Sequence, residues 1–269
     1  MLLYEHPLSP YAQKVRIALR EKGLPFEARQ PPGMGAGQDR SGLAALTPRI
    51  ELPVLLTEGA KIFDSTVILE YIEDRHPVPP LRPATPLARA RARMIEEVCD
   101  THYEAINWGL IELQYFGRGG PELGAQLRAR AEEQIGHLHA WLARLLGDHA
   151  WLHGEAFGWA DMAVVPFVWM SEMLGIPPQP DSPLASWLQR TLQRPSVAAT
   201  VAEAQASVPT LARAAHLLKG GAFKRQYRDH RLEWMVRSGG VQVLLDGLAN
   251  GDIRFTDTDR FIAHTLVLE

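Results

Sequence analysis

The sequence predicts two domains, an α/β domain over residues 1–76 and an all-α domain over residues 87–218. Three observations support this. The first 76 residues alternate short apolar runs with helix and turn signals, in the order β-α-β, hairpin, α. Five prolines then crowd into HPVPPLRPATP, residues 76–86, which reads as a stiff connector with the boundary at 77–86. Beyond it the apolar spacing is helical.

In order, residues 1–6 are an apolar-rich strand candidate. Ser9 and Pro10 match a helix start, with serine at the N-cap and proline at the first helical position. Ala12, Val15 and Leu19 give the helix one apolar face, with Lys14, Arg20 and Glu21 off it, and Gly23 ends it. PFEARQ (25–30) reads as a second strand, followed by a Pro- and Gly-rich loop over 31–37. LPVLL (52–56) and KIF (61–63) flank Glu58-Gly59, a hairpin signal. Asp64 and Ser65 open a helix with apolar Ile68, Leu69 and Ile72, which stops before Pro77.

In the second part, residues 87–116 hold one long helical pattern and 121–146 another, closed by Gly147. FGWADMAVVPFVWM is apolar nearly all round, which predicts a buried helix. Further helices fit 183–193 and 196–218. Residues 219–269 form a separate extension, with two short helices and a short strand at IRF (253–255).

With 269 residues, 46% of them hydrophobic, the chain can bury a sizeable core. A net charge of −3 gives no general attraction to nucleic acid or anionic membrane. The lone cysteine, Cys99, permits no intramolecular disulfide and is expected to be a small buried hydrophobe in a reducing, cytoplasmic setting. No signal peptide or membrane span is visible. His137 and His139 face differently on one helix, and His149 and His153 straddle a helix end, so a metal site is not expected. The basic run KRQYRDHR (224–231) reads as a solvated helix face rather than a nucleic-acid site.

Four stretches, HPLSPYAQKVR, ELPVL, FDSTVILEYIEDRHP and FGWADMAVVPF, stand in an order and spacing that resemble the soluble glutathione transferase family, in a bacterial-like serine-type form with a C-terminal extension. The resemblance covers roughly residues 1–215. It implies a thioredoxin-like N-terminal domain that binds glutathione as co-substrate, an all-helical C-terminal domain, a pocket between them for a small hydrophobic electrophile, and a homodimer. Pro53 matches the family's cis proline, which leaves the Leu52 backbone unpaired at a sheet edge for an extended peptide to join. Asp64-Ser65 matches an acid-serine pair at a helix N-terminus, where free N–H groups suit the γ-glutamyl carboxylate. Ser9 stands where the resemblance places a hydroxyl that donates to the glutathione thiolate. Tyr4 is a rival hydroxyl. Tyr11, Tyr103, Trp108 and Tyr115 are candidate pocket residues.

Two departures from the family pattern stand out. Ile50-Glu51-Leu52-Pro53 has an acid where many relatives carry a lysine that contacts the glycyl carboxylate, with Arg49 beside it. Gly158 replaces the Ser or Thr that usually starts the buried helix, leaving Asp161 to cap it, a folding role worth about 1 kcal/mol or more. Three functions remain in competition: transfer of glutathione to an electrophile, a glutathione-dependent disulfide reductase or isomerase, and a non-enzymatic protein-binding module.

Overall fold

A computed structural model describes residues 1–31, 41–152, 154–220, 229–253, 255 and 257–262. Residues 32–37 of the expected loop 31–37, His153, and residues 224–228 of the basic run 224–231 lie outside the described residues. Residues 1–76 form a four-stranded mixed sheet in the order β2-β1-β3-β4, with β1 Leu2–Tyr4, β2 Glu27–Arg29, β3 Val54–Thr57 and β4 Ala60–Phe63. β1 runs parallel to β2 and antiparallel to β3, and β3 is antiparallel to β4. Glu58 and Gly59, both at positive φ, make the tight turn between β3 and β4. α1 (Pro10–Glu21), the short α2 (Ser41–Ala44) and α3 (Ser65–Arg75) complete this part. It is the α/β thioredoxin-like arrangement expected.

The helical part begins with α4 (Pro86–Val98). The single long helix expected over 87–116 is interrupted by a π-helical turn, Cys99–Tyr103, before α5 (Glu104–Gln114). α6 (Gly120–Leu146), the buried α7 (Trp159–Met173) and α8 (Pro183–Leu192) follow. The expected helix 196–218 is two, α9 (Pro195–Ser207) and α10 (Pro209–Lys219), because Pro209 has no N–H to continue the ladder and its ring crowds the preceding turn. In the extension α11 (His230–Arg237), α12 (Val241–Asn250) and a 3-10 turn Thr258–Ile262 are formed. Ile253 and Phe255, expected in a short strand, are in none, and Arg254 lies outside the described residues. Among the described residues no helix is long and apolar enough to cross a membrane.

The connector is pinned rather than merely stiff. Lys22 donates to the His76 and Pro79 carbonyls at 2.7 Å each, and Glu73 accepts from the Leu81 and Arg82 backbone N–H groups. The Leu81 carbonyl in turn accepts from the Trp159 backbone at 2.8 Å.

The largest revision to the expected pattern concerns α1. Every residue from Ala12 to Leu19 is buried, Lys14 and Arg16 included, because the helix is enclosed by the sheet on one side and the helical domain on the other. The charged residues survive there by pairing. Cys99 is 1% exposed and burial pushes its thiol well up, so it behaves as a small hydrophobe.

Glu5, at the end of β1, is 2% exposed and lies 3.6 Å from Arg16, which is shared with Glu203 of α9. Burial pushes the Glu5 carboxyl up to about 7, against the opposing pull of Arg16. The folded state therefore holds a proton that the unfolded chain releases near 4.5, so stability falls as pH rises from about 4.5 to about 7. That component amounts to at most about 3 kcal/mol. Glu5→Gln is expected to flatten this part of the stability profile between pH 5 and 8, read by urea unfolding. An unchanged slope would show that Glu5 titrates normally.

Candidate functional site

The pairings Tyr4↔Val54 and Val54↔Phe63 bring the N-termini of α1 and α3, which follow β1 and β4, to one end of the sheet. Ser9 caps α1 in extended backbone, and its Oγ accepts from the Ala12 N–H at a long 3.4 Å. That bond uses a lone pair. A serine hydroxyl has two lone pairs and one O–H, so capping leaves the Ser9 proton available to a ligand. The cap and the donor functions are compatible in one side chain.

Tyr4 is one strand position from the core residue Leu3, pairs with Arg29 across the β1–β2 ladder, and its hydroxyl lies against the Arg29 guanidinium. Tyr11 is half-buried. Its hydroxyl donates to the Asp100 carbonyl at 2.6 Å and its ring meets Phe167 edge-on at 6.2 Å. It is a tie from α1 to the helical domain, and burial pushes its hydroxyl far up.

The Leu52–Pro53 peptide is cis. The β1–β3 ladder ends at Tyr4↔Val54, so Leu52 lies outside it, next to the α3 N-terminus. Asp64 caps α3: its Oδ1 accepts from Thr66 N at 3.0 Å and Val67 N at 3.2 Å. It does so at φ 75° and ψ 124°, a positive-φ backbone outside the left-handed helical well. Ser65, the first helical residue, is buried beside it. Arg49 joins the two acids of this edge, with Nε 2.6 Å from Glu51 and NH1 3.5 Å from Asp64. The acid at 51 is therefore matched by a base two residues earlier, and the edge is not a bare negative patch.

Behind this edge lies a cluster that the sequence did not announce. Lys14 Nζ is fully buried between Glu96 Oε1 at 2.6 Å and Asp100 Oδ2 at 2.5 Å. Glu96 also accepts from Thr66 Oγ1 at 2.8 Å and Trp159 Nε1 at 2.6 Å, and pairs with Arg93 at 3.0 Å. Burial pushes the Asp100 carboxyl up to about 6 despite Lys14. The cations around Glu96 outweigh its burial and hold it below the ordinary carboxylate range. The cluster joins α1, α3, α4, the π-helical turn and α7, so Ser9 and Ser65 sit on helices fixed to a common anchor. The sequence signal that could have found it is a lysine within a helix start and two acids four apart in the next domain, Glu96 and Asp100.

The aromatic candidates separate. Tyr103 is fully buried; its hydroxyl is bonded to His139 Nε2 at 2.5 Å and Ser171 Oγ at 2.8 Å, and its ring stacks on Phe167. It is a core residue of the helical domain, so its assignment to the pocket is corrected. Trp108 and Tyr115, in and just after α5, are half-buried and retain accessible surface.

Comparison with known proteins gives a consistent picture. The description "Glutathione S-transferase, N-terminal domain" matches residues 3–80, and "Glutathione S-transferase, C-terminal domain" matches residues 109–195. The chain is 32% identical to the maleylacetoacetate isomerase of Pseudomonas aeruginosa over 65% of its own length and 84% of that protein. It is 26% identical to a stringent starvation protein A homolog of Coxiella burnetii, over 77% of its own length and 94% of that protein. Among solved structures, a glutathione S-transferase of Methylobacterium radiotolerans in complex with glutathione sulfonate is 30% identical with a TM-score of 0.61, covering 85% of this chain and 98% of that one.

Proposed function

The chain belongs to the soluble glutathione transferase family, and from that premise we propose that it binds glutathione along the Leu52 edge and directs its thiolate at a small hydrophobic electrophile. The observation that supports this most is the Ser9 geometry: a hydroxyl held at a helix N-terminus with its proton uncommitted by the cap. The cysteinyl backbone of glutathione would pair with Leu52, before the cis Pro53, as an added strand. Its γ-glutamyl carboxylate would take the Ser65 hydroxyl and the Ser65 backbone N–H, and its ammonium the Asp64 carboxylate. Arg49 would meet the glycyl carboxylate, with Glu51 drawn aside to pair with the same guanidinium.

The chemistry asked of the protein is modest. A free thiol ionises near 8.5, and bringing it down by about two pH units takes about 2.7 kcal/mol of preference for the thiolate. One O–H donor and one helix N-terminus aimed at the sulfur suit that amount. The thiol proton passes to solvent water as the thiolate forms, and Ser9 donates its O–H to that thiolate rather than acting as a base. The electrophile would lie against Trp108 and Tyr115 on the helical side. The protein is proposed to work as a cytoplasmic homodimer, with a scattering mass about twice 29.9 kDa.

Ser9→Ala is expected to lower kcat/KM by about a hundredfold and to return the bound thiol toward pH 8.5, read from thiolate absorbance in the ultraviolet. The lost cap should cost about 1 kcal/mol of stability, which the same preparation reports separately. Unchanged thiolate absorbance in Ser9→Ala would remove the donor role. Ser9→Thr, which keeps the hydroxyl, should restore most of the absorbance.

A second reading has support from the maleylacetoacetate isomerase relative: glutathione adds to a conjugated double bond and leaves again, giving isomerase activity, and the related disulfide reductase chemistry uses the same thiolate. Net thioether product argues for transfer; a product free of glutathione argues for isomerisation. The stringent starvation homolog supports a third reading, a protein-binding module. A partner retained by Ser9→Ala together with no glutathione retention would favour it.

A further inference from the structure

The extension is fastened to the helical domain at its 3-10 turn. Asp257 is gripped by Arg130 and by Gln134 at 3.0 Å, and Thr258 meets His137 at 3.2 Å. The two helices before that turn have no such cover. α11 buries no residue and α12 buries only Gly247. Among the described residues fourteen large hydrophobic side chains are exposed, and six of them lie in these two helices: Trp234, Val236, Val241, Val243, Leu245 and Leu248. Helices of 8 and 10 residues are marginal in water unless an apolar face is packed. An exposed apolar surface of this density marks an interaction site.

The side chains fall into faces. Val241, Leu245 and Leu248, at i, i+4 and i+7, form one stripe along α12. Gly247 faces the other way, toward its own chain: a β-carbon there would stand 2.4 Å from Ile253. On α11, Arg231, Trp234 and Arg237, at i, i+3 and i+6, share a face, with Trp234 59% exposed. Arg237 reaches its own Glu233 only at 3.8 Å. Tryptophan and arginine are the residue types that most often anchor protein interfaces.

Charge selects the partner. α11 holds two arginines and one glutamate, a net +1, and α12 holds one aspartate, a net −1. The pair is neutral, so two copies do not repel each other, and α11 of one copy complements α12 of another. An anionic lipid surface or a nucleic acid would call for a strongly basic face. Even with Lys224, Arg225 and Arg228 counted, residues 221–252 hold five bases against four acids. The area also fits. Six half-exposed apolar side chains on each of two copies, with the polar residues that flank them, bury on the order of 1,000 Å² when paired, enough for a specific interface.

We propose that α11 and α12 form a self-association surface, on which a second copy of this chain docks about a two-fold axis, α11 of each copy against α12 of the other. This rests on the homodimer reading above and gives that dimer a contact; it does not depend on glutathione. The stripe Val241, Leu245, Leu248 takes the partner's Trp234. Arg231 and Arg237 meet the partner's Asp246, and the symmetry repeats both contacts.

Sedimentation of the full chain between about 1 and 50 µM tests this. Wild type is expected near twice 29.9 kDa. Leu245→Arg should weaken dimerisation about a hundredfold and sediment near 29.9 kDa. Exposed charge changes guard against a misfolded helix. Arg231→Glu with Arg237→Glu, and separately Asp246→Arg, should each weaken the dimer about tenfold. Mixed one to one, these two proteins should pair about as tightly as wild type, because opposite signs then face each other at both contacts. Variants that stay dimeric, or a mixture no tighter than its parts, would overturn the proposal while leaving the homodimer reading intact. A monomeric wild type would overturn both, and its flotation with phosphatidylglycerol vesicles would assign the face to lipid. Retention on glutathione-agarose, measured on the same proteins, reports the glutathione reading separately.

Discussion

Lys14→Met is expected to lower the unfolding free energy by about 3–5 kcal/mol at pH 8, and by clearly less at pH 5. The lysine is enclosed between Glu96 and Asp100. Methionine fills its volume but leaves two carboxylates in an apolar setting. Glu96 keeps Arg93, Trp159 and Thr66. Asp100 does worse: Oδ2 loses its partner and Oδ1 has none. Its carboxyl already ionises near 6 with the lysine present, and without it moves higher. A folded-state pKa raised above the unfolded value means proton uptake on folding, so the variant regains stability as pH falls below that pKa. The gap between wild type and variant should therefore narrow from pH 8 to pH 5 in urea unfolding. Lys14→Met with Asp100→Asn should recover part of the loss at pH 8. A gap independent of pH would mean that packing, not charge, is what the lysine supplies.

Asp161→Ala is expected to cost about 3–5 kcal/mol, well beyond the loss of a helix cap. The sequence suggested a capping role worth about 1 kcal/mol or more. The structure adds two partners. Asp161 is fully buried; Oδ2 accepts from the Gly158 N–H at 3.1 Å, and Oδ1 from the Leu152 N–H at 2.8 Å and from Trp187 Nε1 at 2.7 Å. One carboxylate thus holds the start of α7, the loop before it and the α8 tryptophan. Alanine strands three donors at once. Asp161→Asn keeps acceptor capacity on one side and should fall between the two. Thermal unfolding of the three proteins would show the order directly; a loss near 1 kcal/mol for alanine would mean that water replaces the side chain.

Local chemistry carried most of the fold. Ser9-Pro10, Asp64-Ser65 and Glu58-Gly59 work within a few residues, and each stands where turn and cap preferences put it. Helix breaks that depend on one residue were harder. Pro209 is a strong breaker, yet the apolar spacing runs through it, and periodicity alone joined two helices. The π-helical turn leaves no mark in periodicity because it adds a single residue to a continuing helix. The local geometry of the proposed site was legible where it depends on a few adjacent residues, at the cis Leu52–Pro53 peptide and the Asp64 cap of α3. What escaped was the cluster of Lys14, Glu96 and Asp100. Its members stand 82 and 86 residues apart, and amphipathic spacing predicted Lys14 off the apolar face of α1. It is off that face, but a second domain covers the side on which it stands. Tyr103 failed for a related reason: an aromatic at helical spacing does not say which neighbour will take it, and here His139 and Ser171 satisfied its hydroxyl in the core.

The enclosure of α1 also bears on how the chain is made. This helix leaves the ribosome well before the residues that pair with its charged side chains. Lys14 waits for Glu96 and Asp100, Glu21 for Arg194, and Arg20 for Thr200 and Glu203. Until about residue 203 has emerged, a nascent α/β domain would carry unpaired charge on a surface meant to be covered. The two architectural domains are thus a single unit of assembly: a fragment ending in the proline connector would lack the ionic partners of Lys14, Arg20 and Glu21 in its own first helix, and denaturation of the whole should proceed in one step.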